Sequence, residues 1–257
     1  MKLALGQGYS GAVLSGDVDR VLEAERLGYD SVWTAESYGS DAVTTIAWIA
    51  ARTTRIHVGT AIMQIGARTP AASAMTAMTL DALSGGRFRL GLGVSNPQVI
   101  EGWHGQRFGK LLARIAMFRE WLAEGFRRAG APKPPFDVMA ACPVVVGDDV
   151  DACRAQHRPA IALYVGGMGA PSRNFYNETV RHYGYEEAAR TIQDLYLAGR
   201  KREAEAAVPD ALVDEIGLFG PRERIRERLA AYREAGVTTL AVRGNLDAVR
   251  LMAELVL

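Results

Sequence analysis

Cysteine is scarce in this chain. Cys142 and Cys153 are the only two in 257 residues, too few for a disulfide scaffold and without the spacing of a metal site. A reduced, cytoplasmic protein is the resulting expectation. Long apolar runs are missing as well: none approaches the ~18 residues of a membrane-spanning helix, and Met1-Lys2-Leu3 leads straight into a strand rather than a signal peptide. Net charge is nearly absent, with 30 basic against 29 acidic residues and a formal charge of +1, so electrostatics offers no argument for nucleic acid or an anionic membrane. Nothing is low-complexity, and no repeat shows beyond a strand–helix period. What is present is ordinary for a soluble globular protein: 49% apolar and 23% charged residues. The length suits one α/β barrel or two smaller domains.

The first 110 residues read as four strand–helix units. Leu3 to Gly8 forms a short apolar strand, and Asp17 caps a helix with Val18, Val21, Leu22 and Leu27 at helical spacing, stopped by Gly28. Ser31 to Thr34 is the second strand. A helix from about Asp41 to Thr53 turns Ile46 and Ile49 inward. Ile56 to Ile62 is the third strand, and Pro70 opens a helix that reaches Leu83 before Ser84-Gly85-Gly86 breaks it. The fourth strand is Phe88 to Leu92. Strands alternating with helices of this length call for a parallel sheet with right-handed crossovers.

An anomaly follows. Leu111, Ile115, Phe118, Leu122 and Phe126 make one apolar stripe without a phase break, which predicts a single helix over 110–130 where two further strands would be expected. Asp137 to Val146 is the next strand, with Pro143 suiting an edge or bulge. From Asp148 to Gly217 the pattern is mostly helical, interrupted at Gly166-Gly167-Met168-Gly169 by a loop or small lid. Pro221 opens a last amphipathic helix with Ile225, Leu229 and Tyr232, and Val237 to Val242 is the final strand, the sixth.

The fourth strand runs into the densest polar and aromatic stretch of the chain: Ser95, Asn96, Gln98, Glu101, Trp103 and His104 fall within ten residues. Ligands bind at the carboxyl ends of parallel strands because the loops converge there.

Several ordered runs resemble the luciferase-like monooxygenase superfamily, closest to its branch of oxidoreductases that use the deazaflavin coenzyme F-420. They include Gly28-Tyr29-Asp30-Ser31-Val32-Trp33-Thr34-Ala35-Glu36, Tyr38-Gly39-Ser40-Asp41-Ala42, Gly59-Thr60-Ala61-Ile62-Met63-Gln64 and Arg68-Thr69-Pro70-Ala71. Further matches are Thr79-Leu80-Asp81-Ala82-Leu83-Ser84-Gly85-Gly86-Arg87, Gly91-Leu92-Gly93-Val94-Ser95, Pro143-Val144-Val145-Val146-Gly147-Asp148-Asp149, Leu163-Tyr164-Val165-Gly166-Gly167-Met168-Gly169 and Phe219-Gly220-Pro221-Arg222-Glu223-Arg224. The resemblance implies one α/β domain over 1–257: a TIM-barrel-derived, incomplete or open (β/α) barrel of about six parallel strands with extra C-terminal helices. Relative to the family, strand five, helix five and strand six are missing, with the junction near 121–125.

The same resemblance implies roles for residues at the strand ends. A deazaflavin needs a flat apolar slot, hydrogen bonds at its pyrimidine edge and donors for its phosphate tail. Glu36 is a candidate general acid or base, or else a carboxylate bonding backbone amides. Tyr38, Thr60, Gln64, Ser95, Asn96, Gln98 and Trp103 are candidate cofactor contacts; Gln64 offers both donor and acceptor, and Ser95 with the Asn96-Pro97 turn offers a hydroxyl and amides to phosphate. Arg243-Gly244-Asn245, after the last strand, is a further place for the tail. His104 is catalytic or structural; His57 and His157 read as packing or surface residues. Three functions follow: hydride-transferring oxidoreductase with coenzyme F-420, FMN-dependent monooxygenase, or a non-catalytic barrel-derived protein that has lost its cofactor. The gap left by the missing strands predicts a homodimer, since an open core and unpaired edges facing water invite a second copy; six strands closing alone is the alternative.

Overall fold

The computed structural model describes residues 1–8, 17–93, 95, 98–105, 139–169, 174–235 and 237–257. The continuous helix expected over 110–130 lies outside the described residues. Contacts group the chain into two compact units, Met1–Ala141 with Val237–Leu257, and Cys142–Gly236.

In the first unit the strands are β1 (Lys2–Gly8), β2 (Ser31–Thr34), β3 (His57–Thr60), β4 (Met63–Gln64), β5 (Phe88–Arg89), β6 (Leu92–Gly93) and β9 (Thr239–Arg243). Five of them pair in parallel in the order β5-β3-β2-β1-β9. The short β4 and β6 pair separately, Met63 against Leu92 and Gln64 against Gly93. The expected third and fourth strands are therefore each broken in two. Both breaks share one cause, a contact between the two strands. The Thr60 hydroxyl donates to the Gly91 carbonyl at 2.9 Å and accepts from the Gly91 amide at 3.1 Å, taking the place of a ladder partner.

Capping residues set the helices of this unit. Asp17 accepts from the Arg20 amide at the start of α1 (Val18–Arg26), Asp41 from Thr44 at α2 (Ala42–Ala50), and Thr69 from Ala72 at α3 (Pro70–Leu83), which begins on proline. Gly28, Gly85 and Gly86 then take positive φ, where a side chain would be strained. On α1 the buried positions are Val21 and Ala24, while Leu22 is 38% exposed. Two elements went unread in the sequence. One is the helix Leu246–Val256, capped by Asn245; the other is the strand β8 (Leu218–Gly220) of the second unit. With β8 there are seven strands, not six, among the described residues of the parallel sheets, apart from the short β4–β6 pair.

The second unit pairs β7 (Met139–Val146) with β8 in parallel, Val144 against Leu218 and Val146 against Gly220. Its core gathers Ile161, Val165, Ile192, Leu212, Val213 and Phe219. The glycine-rich interruption is not a simple loop. Gly166 and Gly167 close a π-helical segment (Leu163–Gly167), and a Cβ at Gly167 would lie 2.4 Å from the Tyr196 ring. Such wide turns leave carbonyls to satisfy. Two buried carboxamides meet them: Asn174 Nδ2 and Asn177 Nδ2 donate to the Val165 carbonyl at 2.9 and 3.1 Å.

Cys142 is fully buried, and its thiol donates to the Tyr232 hydroxyl at 3.4 Å. Burial pushes this thiol up to about 11, so little thiolate exists near neutral pH. In a disulfide-exchange reagent at pH 8 the folded protein should react far more slowly than the urea-unfolded chain, which should release two thiols. Equal rates would show that Cys142 is not shielded as described. No helix of the described residues is long and apolar enough to cross a membrane.

Candidate active site

The candidate residues of the first unit cluster where β2, β3–β4 and β6 end. Glu36 lies two residues beyond β2, and its side chain is almost wholly buried. Both carboxylate oxygens are engaged. Oε2 accepts from the Ala42 amide at 2.9 Å and from Arg68 Nη2 at 3.0 Å; Oε1 accepts from the Gln64 amide at 2.6 Å and from Arg68 Nη1. Of the two readings open for Glu36, this geometry is that of a carboxylate organising backbone amides. No oxygen is left directed at a ligand. Arg68 is its bidentate partner; a lone arginine before a helix gives no sign in the sequence of a mate 32 residues away.

Gln64 ends β4 and is 1% exposed. Its Nε2 donates to the Glu36 carbonyl at 2.9 Å, and its Oε1 lies 2.9 Å from His104 Nε2. Both ends of the Gln64 carboxamide thus have partners within the protein, His104 among them. Thr60 is likewise engaged within the protein. It is completely buried, and its hydroxyl is taken up by Gly91. The peptide between Ala61 and Ile62, just beyond, is cis.

His104 follows a π-helical turn (Gln98–Trp103), and its own amide donates to the Val99 carbonyl at 3.0 Å. That turn buries Val99 and Ile100 and turns Trp103 outward. Trp103 meets Tyr38 edge to face, centroids 5.6 Å apart and planes at 85°, with the two residues 60% and 48% exposed. An aromatic pair is normally buried; one left in water beside a histidine forms an open apolar wall. Ser95 is half-buried just past β6. Asn96 and the side chain of Gln98 lie outside the described residues. Arg243-Gly244-Asn245 proves structural in part: Gly244 accepts from Arg20 Nη1 at 2.5 Å, and Asn245 caps the helix after it.

For a deazaflavin, the ring end of this site fits, with aromatic faces and a histidine at the strand ends. For the tail, the described residues among those expected are Ser95 and the exposed Arg243.

The arrangement defines a parallel α/β protein that carries its polar site on the carboxyl ends of its strands. Comparison with known proteins is more specific. The luciferase-like monooxygenase family profile matches twice, over residues 3–123 and 110–239. A relative from Mycobacterium tuberculosis named as a coenzyme F-420-dependent oxidoreductase is 36% identical over 343 aligned positions, covering 100% of this chain and 99% of its own. Among solved structures, the coenzyme F-420-dependent tetrahydromethanopterin reductase of Methanopyrus kandleri superposes with a TM-score of 0.76 at 15% identity, covering 98% of this chain and 97% of its own. The FMN complex of the oxygenating constituent of 3,6-diketocamphane monooxygenase from Pseudomonas putida superposes with a TM-score of 0.59 at 16% identity, covering 100% and 98%. At those identities the two structures speak for the TIM-barrel type of fold. This chain belongs to the luciferase-like monooxygenase family.

Proposed function

We propose that this protein is an oxidoreductase that binds coenzyme F-420 at the mouth formed by the ends of β2, β4 and β6. The observation that carries the reading is the convergence of His104 with the exposed Tyr38–Trp103 pair in a chain whose end-to-end relative is named for that coenzyme. When bound, the deazaflavin supplies hydride chemistry; the protein contributes placement, exclusion of water and a proton-handling group. Tyr38 and Trp103 would flank the ring, His104 would face the reacting substrate, and Ser95 would hold part of the phosphate tail.

The proposal includes a shortened barrel. The alignment to the Mycobacterium tuberculosis relative spans 343 positions against 257 residues here, and the two family matches overlap at 110–123. Both support loss of an internal piece near the expected junction. The slot would then be completed by a second copy. On α3 the side chains of Met75, Met78 and Leu83 are each more than two-thirds exposed, and Asp81 is its one charged residue, which suits a self-complementary apolar contact.

Titration followed by fluorescence, with coenzyme F-420 and FMN side by side, tests the assignment. F-420 should bind, and Trp103→Ala should weaken it about tenfold or more, the ~1.4 kcal/mol or greater of a lost aromatic wall. Binding of FMN alone would favour the monooxygenase reading, for which the FMN-bound neighbour is the precedent in fold. Binding of neither would favour a non-catalytic protein. Light scattering coupled to gel filtration tests the second copy, and a monomer that still binds F-420 would remove it.

A further inference from the structure

The hydrogen bonds of Gln64 determine which nitrogen of His104 carries the proton. Gln64 Nε2 faces the Glu36 carbonyl at 2.9 Å, and a carbonyl oxygen can only accept. Turning the amide over would set oxygen against oxygen in a residue 1% exposed, so the nitrogen must stay on that side. Its Oε1 is thereby directed at His104 Nε2, 2.9 Å away. An amide oxygen also only accepts. His104 Nε2 must therefore bear hydrogen, and in the neutral ring the lone pair is left on Nδ1.

We infer that Gln64 is a positioning residue that locks His104 in its Nε2–H tautomer, and that His104 Nδ1 is the atom through which this site takes up or releases a proton. The lock is built in series. Arg68 and the amides of Ala42 and Gln64 immobilise the Glu36 carboxylate; the Glu36 carbonyl orients the Gln64 amide; Gln64 orients the ring. From the other side, the bond from the His104 amide to Val99 holds the backbone. A substrate hydroxyl placed at Nδ1 would pass its proton to that nitrogen as the O–H bond breaks, while the hydride of the adjacent C–H bond would go to a bound deazaflavin as the acceptor. The resulting imidazolium keeps Nε2–H on Gln64, where the charge-assisted bond is stronger than before. In the opposite direction Nδ1–H would give the proton to a carbonyl oxygen whose carbon takes a hydride from the reduced deazaflavin. The class of substrate implied is an alcohol or its carbonyl counterpart. The proton-transfer role rests on the oxidoreductase reading, whereas the tautomer does not.

The two are separated by working on the protein without cofactor. In the 15N-labelled wild-type chain at a pH where the ring is neutral, proton–nitrogen correlation spectra should show His104 as the pure Nε2–H tautomer. A slowly exchanging proton should be visible on Nε2, identified by its loss in His104→Gln. Gln64→Met, of similar length and without an acceptor, should lose that proton signal to exchange with water while the backbone amide fingerprint is kept. A proton on Nδ1 in the wild type would overturn the inference without any variant being needed. An Nε2 signal equally protected in a folded Gln64→Met protein would overturn the part played by Gln64. If the tautomer is as stated but coenzyme F-420 fails to bind, the oxidoreductase reading falls and the lock stands.

Discussion

Glu36→Ala is expected to destabilise the first unit by about 3–5 kcal/mol, the range for removing one partner of a buried ion pair. The carboxylate does three things at once: it pairs with Arg68, caps the amide of Ala42 at the start of α2, and holds the amide of Gln64 at the end of β4. Alanine leaves two backbone N–H groups without an acceptor and the Arg68 guanidinium with Asp41, at 3.9 Å, as its remaining carboxylate. Arg68→Ala should cost less, about 1–3 kcal/mol, because Glu36 then still accepts from both amides and water can reach the space vacated by a side chain already 20% exposed. Urea unfolding of the two variants measures the difference. A larger loss for Arg68→Ala than for Glu36→Ala would mean that the ion pair, and not the pair of amides, is what matters.

Gly91→Ala should be the most damaging single methyl addition in this unit. A Cβ there would sit 1.9 Å from the Thr60 carbonyl oxygen, closer than any non-bonded pair tolerates, and the obstacle is backbone that cannot rotate away. Relief requires separating Thr60 from Gly91, which also breaks the two bonds made by the Thr60 hydroxyl. Overpacking with lost hydrogen bonds puts the cost at roughly 3 kcal/mol or more, or prevents folding altogether. Gly102→Ala is the control, since nothing lies within 4 Å of a Cβ at that position. Comparable melting temperatures for the two variants would contradict the close approach of β3 to Gly91.

What could be read from the sequence was what acts over short range. Asp17, Asp41 and the Thr69-Pro70 pair marked helix starts because capping involves residues three positions apart. The Gly85-Gly86 stop was visible because positive φ leaves a signature in residue type. Interactions set by distant partners were not legible. The break at Gly91 depends on a hydroxyl 31 residues earlier, and β8 has only three residues that become a strand by pairing with β7. The last helix was a missed signal, for Asn245 and the buried Val249 and Met252 carry the ordinary pattern. Of the candidates the sequence offered, the structure joins Glu36, Gln64 and His104 by hydrogen bonds and sets Trp103 against Tyr38. The sequence did not reveal that Gln64 is directed inward, because a residue able to bond a ligand has the same donors and acceptors as one that bonds its neighbours.

The position of β1 in the sheet bears on how the chain must be made. One flank of β1 is covered by β2, some thirty residues downstream, but the other is covered by β9, with Lys2 beside Thr239 and Leu5 beside Val242. During synthesis the early strands emerge and can associate while β9 has yet to be translated. Throughout that interval a central strand, destined to be buried, has an open row of amides and carbonyls and behaves as an edge. The whole second unit is translated within the same interval. The first unit is thus begun first and finished last, and a ribosome that stops short of residue 239 releases a chain with a strand that holds the buried Leu3, Ala4 and Leu5 half unpaired.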